Sequence, residues 1–339
     1  MILDEAVAAL VAGDVIGLPT ETVYGLAADA GSRDAVQRIY RVKGRPADHP
    51  LIVHVIDAAQ ARRWGEWNDS AQRLADAFWP GPLTVVLRRL KNAPAWACAG
   101  QPTIALRSPS HPVARQVLAR LLPLGVSGIA APSANRFGRV SPTSAAHVRA
   151  DLGGEVPIVL EGGDARIGIE STIVDLSRGR PYLLRPGHVS AEAIAAALGE
   201  PVAVADVAAP KVSGSLASHY APLKPLRLVA PQQLDQALID ALSAGQRVAV
   251  WSIQCPRQLM AAGDSRSQAA ADSGLIWRAR PASVAEVERD LYGTMRELDT
   301  AEVDLILVEG PPQEPAWLAV NDRLQRAAAP RVGDQAAGL

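Results

Sequence analysis

Along the first 200 residues the apolar positions alternate between a helical and a strand-like period, which predicts an α/β layout. "DEAVAALVAG" has helical spacing and ends at a Gly, and "DVIGLPT" reads as a short buried strand closing on Pro. "SRDAVQRIYRVKG" starts at a Ser cap and runs helically to Gly44. "SAQRLADAFWPG", "HPVARQVLAR" and "SAAHVRADLGG" carry the same helical spacing. "PLIVHVI", "PLTVVLRRL", "TIALRSP", "GIAAPSAN", "PIVLEGG", "ESTIVDL" and "PYLLRPG" are β-branched or alternating and read as strands. In "GLPTETVYGLAADA" the chain bends at Pro19, and a helix is expected to start near Gly25.

From Leu198 to about Leu226 the pattern fades into Pro, Ala, Gly and Ser, and a connection this long is disordered or functional. The α/β grammar then returns, with strands at "RLVAP", "RVAVWSI" and "VDLILVEG" and helices at "QLDQALIDALSAG", "VAEVERDLYGTMRELD" and "AVNDRLQRAA". A length of 339 residues exceeds one ordinary core. The expected organisation is a catalytic domain over 1–198, a linker or flap over 199–225 and a smaller α/β domain over 226–339.

Composition narrows the class. With 48% hydrophobic and 20% charged residues the chain is that of a soluble globular protein, and no apolar run is long enough to span a bilayer. "MILDEAVAALVAGD" is acidic where a signal peptide would be basic. Cys98 and Cys255 lie far apart without CxxC or His-rich company, so neither a disulfide framework nor a zinc site is expected, and a reducing cytoplasm is. The net charge of −1 hides an asymmetry: no Asp or Glu lies between Asp76 and Asp151, an interval that holds Arg88, Arg89, Lys91, Arg107, Arg115, Arg120, Arg136, Arg139 and Arg149. Such an imbalance favours an anionic ligand, a nucleotide or RNA.

Three stretches carry candidate chemistry. "VKGRPADHPLIVHV" sets Lys43, Arg45 and His49 on a turn stiffened by Pro46 and Pro50 at the mouth of a strand. Thr20, Glu21, Thr22 and Tyr24 cluster before Gly25, where hydroxyls beside free backbone N–H groups suit an anion or an amino acid. "APSANRFGRVSPTS" gathers Ser133, Asn135, Ser141 and Thr143 with Arg136 and Arg139 in a loop able to hold phosphate and ribose. Ser171 and Arg185 stand at strand ends, where α/β ligand sites lie. GxGxxG, GxxxxGK[ST] and GxSxG are all missing, so the ordinary dinucleotide, P-loop and nucleophile-elbow readings fail.

Taken together and in order, "PTETVYGL", "KGRP" with "HPLIVHV", "FWPGPLTVVL", "IALRSPSHP", "APSAN", "GIESTIVDL" and "LRPG" closely resemble the YrdC-type domain of threonylcarbamoyl-AMP synthases. The linker "SGSLASHYAP" and the closing "AVNDRLQRAA" resemble the two-domain form of that family. The resemblance implies a twisted open α/β domain with a concave basic pocket, followed by a smaller Rossmann-like α/β domain. It implies condensation of L-threonine, bicarbonate and ATP to threonylcarbamoyl-AMP and pyrophosphate, with Mg²⁺ arriving on ATP and no organic cofactor. A separate transferase then modifies tRNA next to the anticodon, and contact with tRNA or double-stranded RNA is left open.

By the same resemblance Lys43 and Arg45 are the catalytic cations. Thr22, His54, Arg107, Ala131 and Ser171 surround threonine, while Arg45, His49, Thr103, Ser133, Asn135, Ser141, Arg185 and Tyr220 meet ATP. His49 stands where many members have Asn. Ser215, Ser218, His219 and Tyr220 lie between Gly214 and Pro222, which suits a hinged flap. The alternatives are a non-catalytic RNA-binding or ribosome-maturation module, disfavoured by the 4% aromatic content, and a carbamoyl-AMP-forming hydrogenase maturation protein, whose zinc fingers two isolated cysteines cannot build.

Overall fold

The computed structural model describes residues 2–214, 216–257 and 274–330, so Ser215 lies outside the described residues. The chain divides into two units, Met1–Phe137 with Ser141–Ser215, and Gly138–Val140 with Leu216–Leu339. The segment expected as a linker over 199–225 is therefore shared between them.

The first unit is built on a mixed sheet. Its strands are β1 (Ile16–Leu18), β2 (Gly25–Asp29), β3 (Ile52–His54), β4 (Leu83–Arg88), β5 (Thr103–Arg107), β6 (Ile129–Ala130), β7 (Thr172–Asp175), β8 (Tyr182–Arg185) and β9 (Ala203–Val204). Among the described residues they lie in the order β1-β2-β6-β3-β5-β4-β7-β8-β9. Among these strands, β3/β5, β4/β7 and β8/β9 pair in parallel. Alternation along the central strands sorts the two faces. Val53, Leu106, Val85 and Val174 pack with helices Arg33–Lys43 and Asp69–Phe78 in one continuous core. The other face carries His54, Arg107 and Thr84.

Local signals explain most boundaries. Ser32 caps helix Arg33–Lys43 by accepting from the Ala35 amide, and Gly44 ends it in the left-handed region at φ 62°, where a side chain would be strained. The expected helix start at Gly25 is wrong: Gly25–Asp29 is β2, paired with both β1 and β6. Leu26 and Ala28 fill the main core while Ala27 fills a second cluster with helix Ile2–Val11, so this segment is buried on both sides as only a central strand can be. "PIVLEGG" is likewise no strand; it forms a single bridge, Gly17 to Val159, beside β1. Helix Ala191–Leu198 and β9 extend the unit past β8, where no regular element was anticipated.

The second unit holds a parallel four-stranded sheet of β10 (Leu226–Val229), β11 (Val248–Ser252), β12 (Leu275–Ala279) and β13 (Leu305–Glu309) in the order β10-β13-β11-β12, counted over the described residues. Helices Leu234–Ser243, Val284–Thr300 and Leu318–Ala328 accompany it. Strand β12 carries "LIWRA", a run the hydrophobic pattern alone did not single out.

Candidate active site

Register across the first sheet sets the site. His54 pairs with Arg107, Arg107 with Thr84, Thr84 with Ile173 and Ile173 with Arg185. Residues paired in a ladder share a face, so His54, Arg107, Thr84 and Arg185 form one row across β3, β5, β4, β7 and β8. Four strand spacings make that row roughly 19 Å long. Ile52 and Val86 of the neighbouring row, with Ile173 of this one, pack with Val212, a residue of the segment expected as linker.

At one end of the row Arg107 is held on three sides. It donates from Nη2 to Glu21 Oε1 at 2.7 Å, from Nη1 to Thr22 Oγ1 at 2.9 Å and from Nε to Gly81 O at 3.2 Å. A guanidinium has five N–H donors, so two remain beyond these three bonds. Thr22 sits in a tight turn closed by Thr20, whose Oγ1 donates to Val23 O at 2.6 Å. Tyr24 fixes the far side of that turn by donating to Gly163 O at 2.8 Å. Burial raises the Glu21 carboxyl, but the charge and hydrogen bond of Arg107 outweigh it and hold the group below its ordinary range. Burial first, and then the Arg107 charge, lower His54 to about 3, so its imidazole is neutral at neutral pH. His54 Nδ1 has no hydrogen-bond partner among the described residues.

A relay leads from there to the cationic end. Thr84 Oγ1 and Ser171 Oγ lie 2.7 Å apart. Arg185 donates from Nη2 to Ser171 O at 2.9 Å and from Nη1 to Ser213 O at 2.9 Å. Arg45 donates to Ser213 Oγ at 3.1 Å and to Pro50 O at 2.9 Å. Gly187 of "LRPG" permits this packing, since a Cβ there would lie 2.5 Å from the Thr172 amide nitrogen.

Lys43, at the end of its helix, donates to Ser133 O at 2.5 Å and Asn135 O at 2.7 Å, tying "APSAN" to the "KGRP" turn. Burial and the Arg45 charge push its ammonium pKa well below the usual range. Ser141 donates to Glu170 Oε1 at 2.6 Å. His49 stacks edge-on to Phe137 at 5.3 Å, and burial and Arg45 lower its pKa. Ala131 lies beside the row, its amide donating to Ile52 O at 3.2 Å.

Thr103 stands apart from the row within the first unit, and Tyr220 is a residue of the other unit. Thr103 opens β5 at the end opposite Arg107 and lines a cleft of about 780 Å³ with Arg88, Arg89, Lys91, Arg178 and Lys211. Tyr220 belongs to the second unit, where its ring lies 5.6 Å from Tyr292 and 5.2 Å from the Arg323 guanidinium. The acid-free interval brings Arg107 to the site, but it does not converge there as a whole. Arg120 pairs with Asp4 at 2.5 Å, Arg149 with Glu161 at 2.7 Å and Arg136 with Glu155, so several of its cations are neutralised by acids from outside it. Sequence reasoning passed over Thr84, Glu170 and Ser213. Thr84 did leave a trace, as the lone hydroxyl inside the apolar run "PLTVVL".

Comparison with known proteins matches this architecture. Residues 8–187 fit the Sua5–YciO–YrdC family model, described as "Telomere recombination", and residues 189–329 fit the model described as "Threonylcarbamoyl-AMP synthase, C-terminal domain". Threonylcarbamoyl-AMP synthase of Pyrococcus abyssi is 37% identical over 94% of this chain and 92% of its own length. The Bacillus subtilis enzyme of the same name is 37% identical over 97% of this chain and 93% of its own. The crystal structure of P. abyssi Sua5 complexed with L-threonine superposes with a TM-score of 0.83 at 34% identity, covering 96% of this chain and 94% of that one. Matched over residues 8–187 and 189–329 by these two models, and over 94% and 97% of its length by these two relatives, the chain belongs to the threonylcarbamoyl-AMP synthase family in its two-domain form.

Proposed function

We propose that the first unit condenses L-threonine, bicarbonate and ATP to L-threonylcarbamoyl-AMP and pyrophosphate. The observation that supports this reading is the run of contacts in which Thr22 bonds Arg107, Thr84 beside it in the ladder meets Ser171, and Arg185 and Arg45 share Ser213, so that one guanidinium suited to a carboxylate and two suited to phosphate are tied to one another. Threonine takes the Arg107 end, with its carboxylate on the two remaining N–H groups and Thr22, His54, Ser171 and the Ala131 backbone around it. The amine adds to bicarbonate-derived carbon dioxide and loses a proton, giving N-carboxythreonine. A carbamate oxygen then attacks the α-phosphorus as the bond to the pyrophosphate oxygen breaks.

Negative charge builds on the phosphoryl oxygens in that step, and fixed cations stabilise it without reorganising. Arg45 and Arg185 suit this role because both are buried and oriented by backbone carbonyls before any ligand arrives. Lys43, bonded to the carbonyls of Ser133 and Asn135, fixes the loop that frames the phosphates. No side chain serves as a covalent nucleophile in this scheme. Magnesium enters as MgATP; the carboxylate beside the phosphate loop, Glu170, is engaged by Ser141.

The places of Thr103 and Tyr220 in ATP binding rest on the resemblance alone, as does a flap role for Ser218 and His219. No helix among the described residues is long and apolar enough to cross a membrane. A cytoplasmic setting, with the adenylate handed to a transferase acting on tRNA, completes the proposal.

The deciding measurement is pyrophosphate release with threonine, bicarbonate and ATP, each omitted in turn, alongside mass detection of the adenylate. Release that persists without threonine would overturn the assignment.

A further inference from the structure

The second unit gathers buried donor atoms that have no hydrogen-bond partner among the described residues. Arg280 follows β12 directly, its side chain is 1% exposed, and neither Nε nor Nη1 has a hydrogen-bond partner among the described residues. Its Nη2 lies 3.7 Å from Glu309 Oε2, an oxygen already taken by the Ile253 amide at 2.6 Å. The indole N–H of Trp251, in β11, is buried and likewise has no partner among the described residues. Trp277 next door shows the ordinary arrangement, donating to Ser252 Oγ at 3.1 Å.

The two orphans are neighbours by register. Trp251 pairs with Arg278 and with Val308, and Arg280 follows two residues later on the same face. Diagonal neighbours of this kind lie about 7–8 Å apart at Cα. The place is the carboxyl end of an all-parallel sheet, where open α/β folds bind their ligands. Trp317, which leads into helix Leu318–Ala328, closes the same corner with its ring 5.7 Å from the Arg280 guanidinium.

A buried cation left partly unpaired is costly, and buried polar groups in folded proteins are almost always satisfied. Both orphans here are donors, one of them charged. An acceptor carrying negative charge would complete both at once. We propose that the carboxyl end of the second unit's sheet, at Arg280 and Trp251, is a binding site for a small oxyanion, a phosphate or a carboxylate. Glu309 balances one edge of the guanidinium, and the anion takes the edges left open. The site is independent of the threonine reading of the first unit.

The test follows the Trp251 indole resonance, assigned by its loss in Trp251→Phe, in ¹⁵N-labelled full-length protein. Inorganic phosphate and acetate are titrated separately, so the two arms separate a phosphate source from a carboxylate one. The expected result is a saturable downfield shift with one of them, unchanged in Arg45→Ala and lost in Arg280→Met. Threonine-dependent pyrophosphate release by Arg280→Met should match the wild-type protein, because Arg280 belongs to the second unit and is no part of the site proposed in the first. A Trp251 resonance that moves with neither anion would overturn the proposal, as would a shift that survives Arg280→Met. The wild-type titration decides the matter even if Arg280→Met does not fold.

Discussion

Arg107 Nη2 lies 2.7 Å from Glu21 Oε1, and both side chains are buried. The cation expected to receive a substrate carboxylate thus already holds a protein carboxylate, which aims it across the sheet face. Glu21→Ala would leave Arg107 buried without its counter-charge, and breaking such a pair costs about 3–5 kcal/mol. Urea unfolding should show a loss of that order, smaller for Glu21→Gln. Glu21 is held below its ordinary pKa, so its ionised form stabilises the fold above the unfolded carboxyl value of about 4.3. The gap between wild type and Glu21→Gln should therefore close as pH falls through the folded value.

His54 gives a second pH dependence with a wider window. Its imidazole titrates near 6.5 when unfolded and at about 3 when folded. Between those values the unfolded chain binds a proton that the folded chain refuses, so stability is full above about pH 6.5 and is lost as pH falls toward 3. The limiting slope is about 1.4 kcal/mol per pH unit. Denaturation midpoints measured from pH 7 to pH 4 should fall more gently in His54→Gln than in wild type.

The two ends of the relay should separate kinetically. Arg107→Ala is expected to raise the KM for threonine far more than that for ATP. Arg45→Ala should weaken ATP binding and lower kcat, because its charge is needed where phosphoryl charge develops. Calorimetric titration of each ligand into both variants checks the partition.

Ser213 makes a narrower test. Its hydroxyl accepts from Arg45 and donates to Pro50 O, and Ser213→Ala removes both contacts. A net hydrogen bond is worth about 0.5–1.5 kcal/mol, so the KM for ATP should rise several-fold while that for threonine stays put. An unchanged KM for ATP would mean that Arg45 holds its aim without Ser213.

Substrate choice should follow hydroxyl recognition. Valine matches threonine in shape but lacks the hydroxyl, and a pocket that bonds the hydroxyl leaves buried groups unpaired when it is missing. Serine, lacking only the methyl, should lose roughly 1–3 kcal/mol in kcat/KM. Competition assays should rank threonine over serine over valine.

The sequence by itself determined those elements whose signals are local. Ser32 and Gly44 bracket a helix because a cap and a left-handed turn are decided within a few residues, and the β-branched runs of β4, β5 and β7 form strands for the same reason. Residue types at the site were legible too, since "KGRP", "APSAN" and "GIESTIVDL" display their cations and hydroxyls in plain order. What only the tertiary structure decided is who meets whom. Glu21 and Arg107 are 86 residues apart, and Arg45 and Ser213 are 168 apart. Nothing near Gly25 showed that its segment would be a strand, because that outcome depends on β6 arriving from a hundred residues away to bury its other side. Ser213 looked like one more small residue in a Pro- and Gly-rich stretch until Val212 docked on Ile52, Val86 and Ile173 and carried it to the two arginines. Local preference fixes a backbone over a turn or two, whereas pairing across a sheet is set by topology and burial that no short window contains.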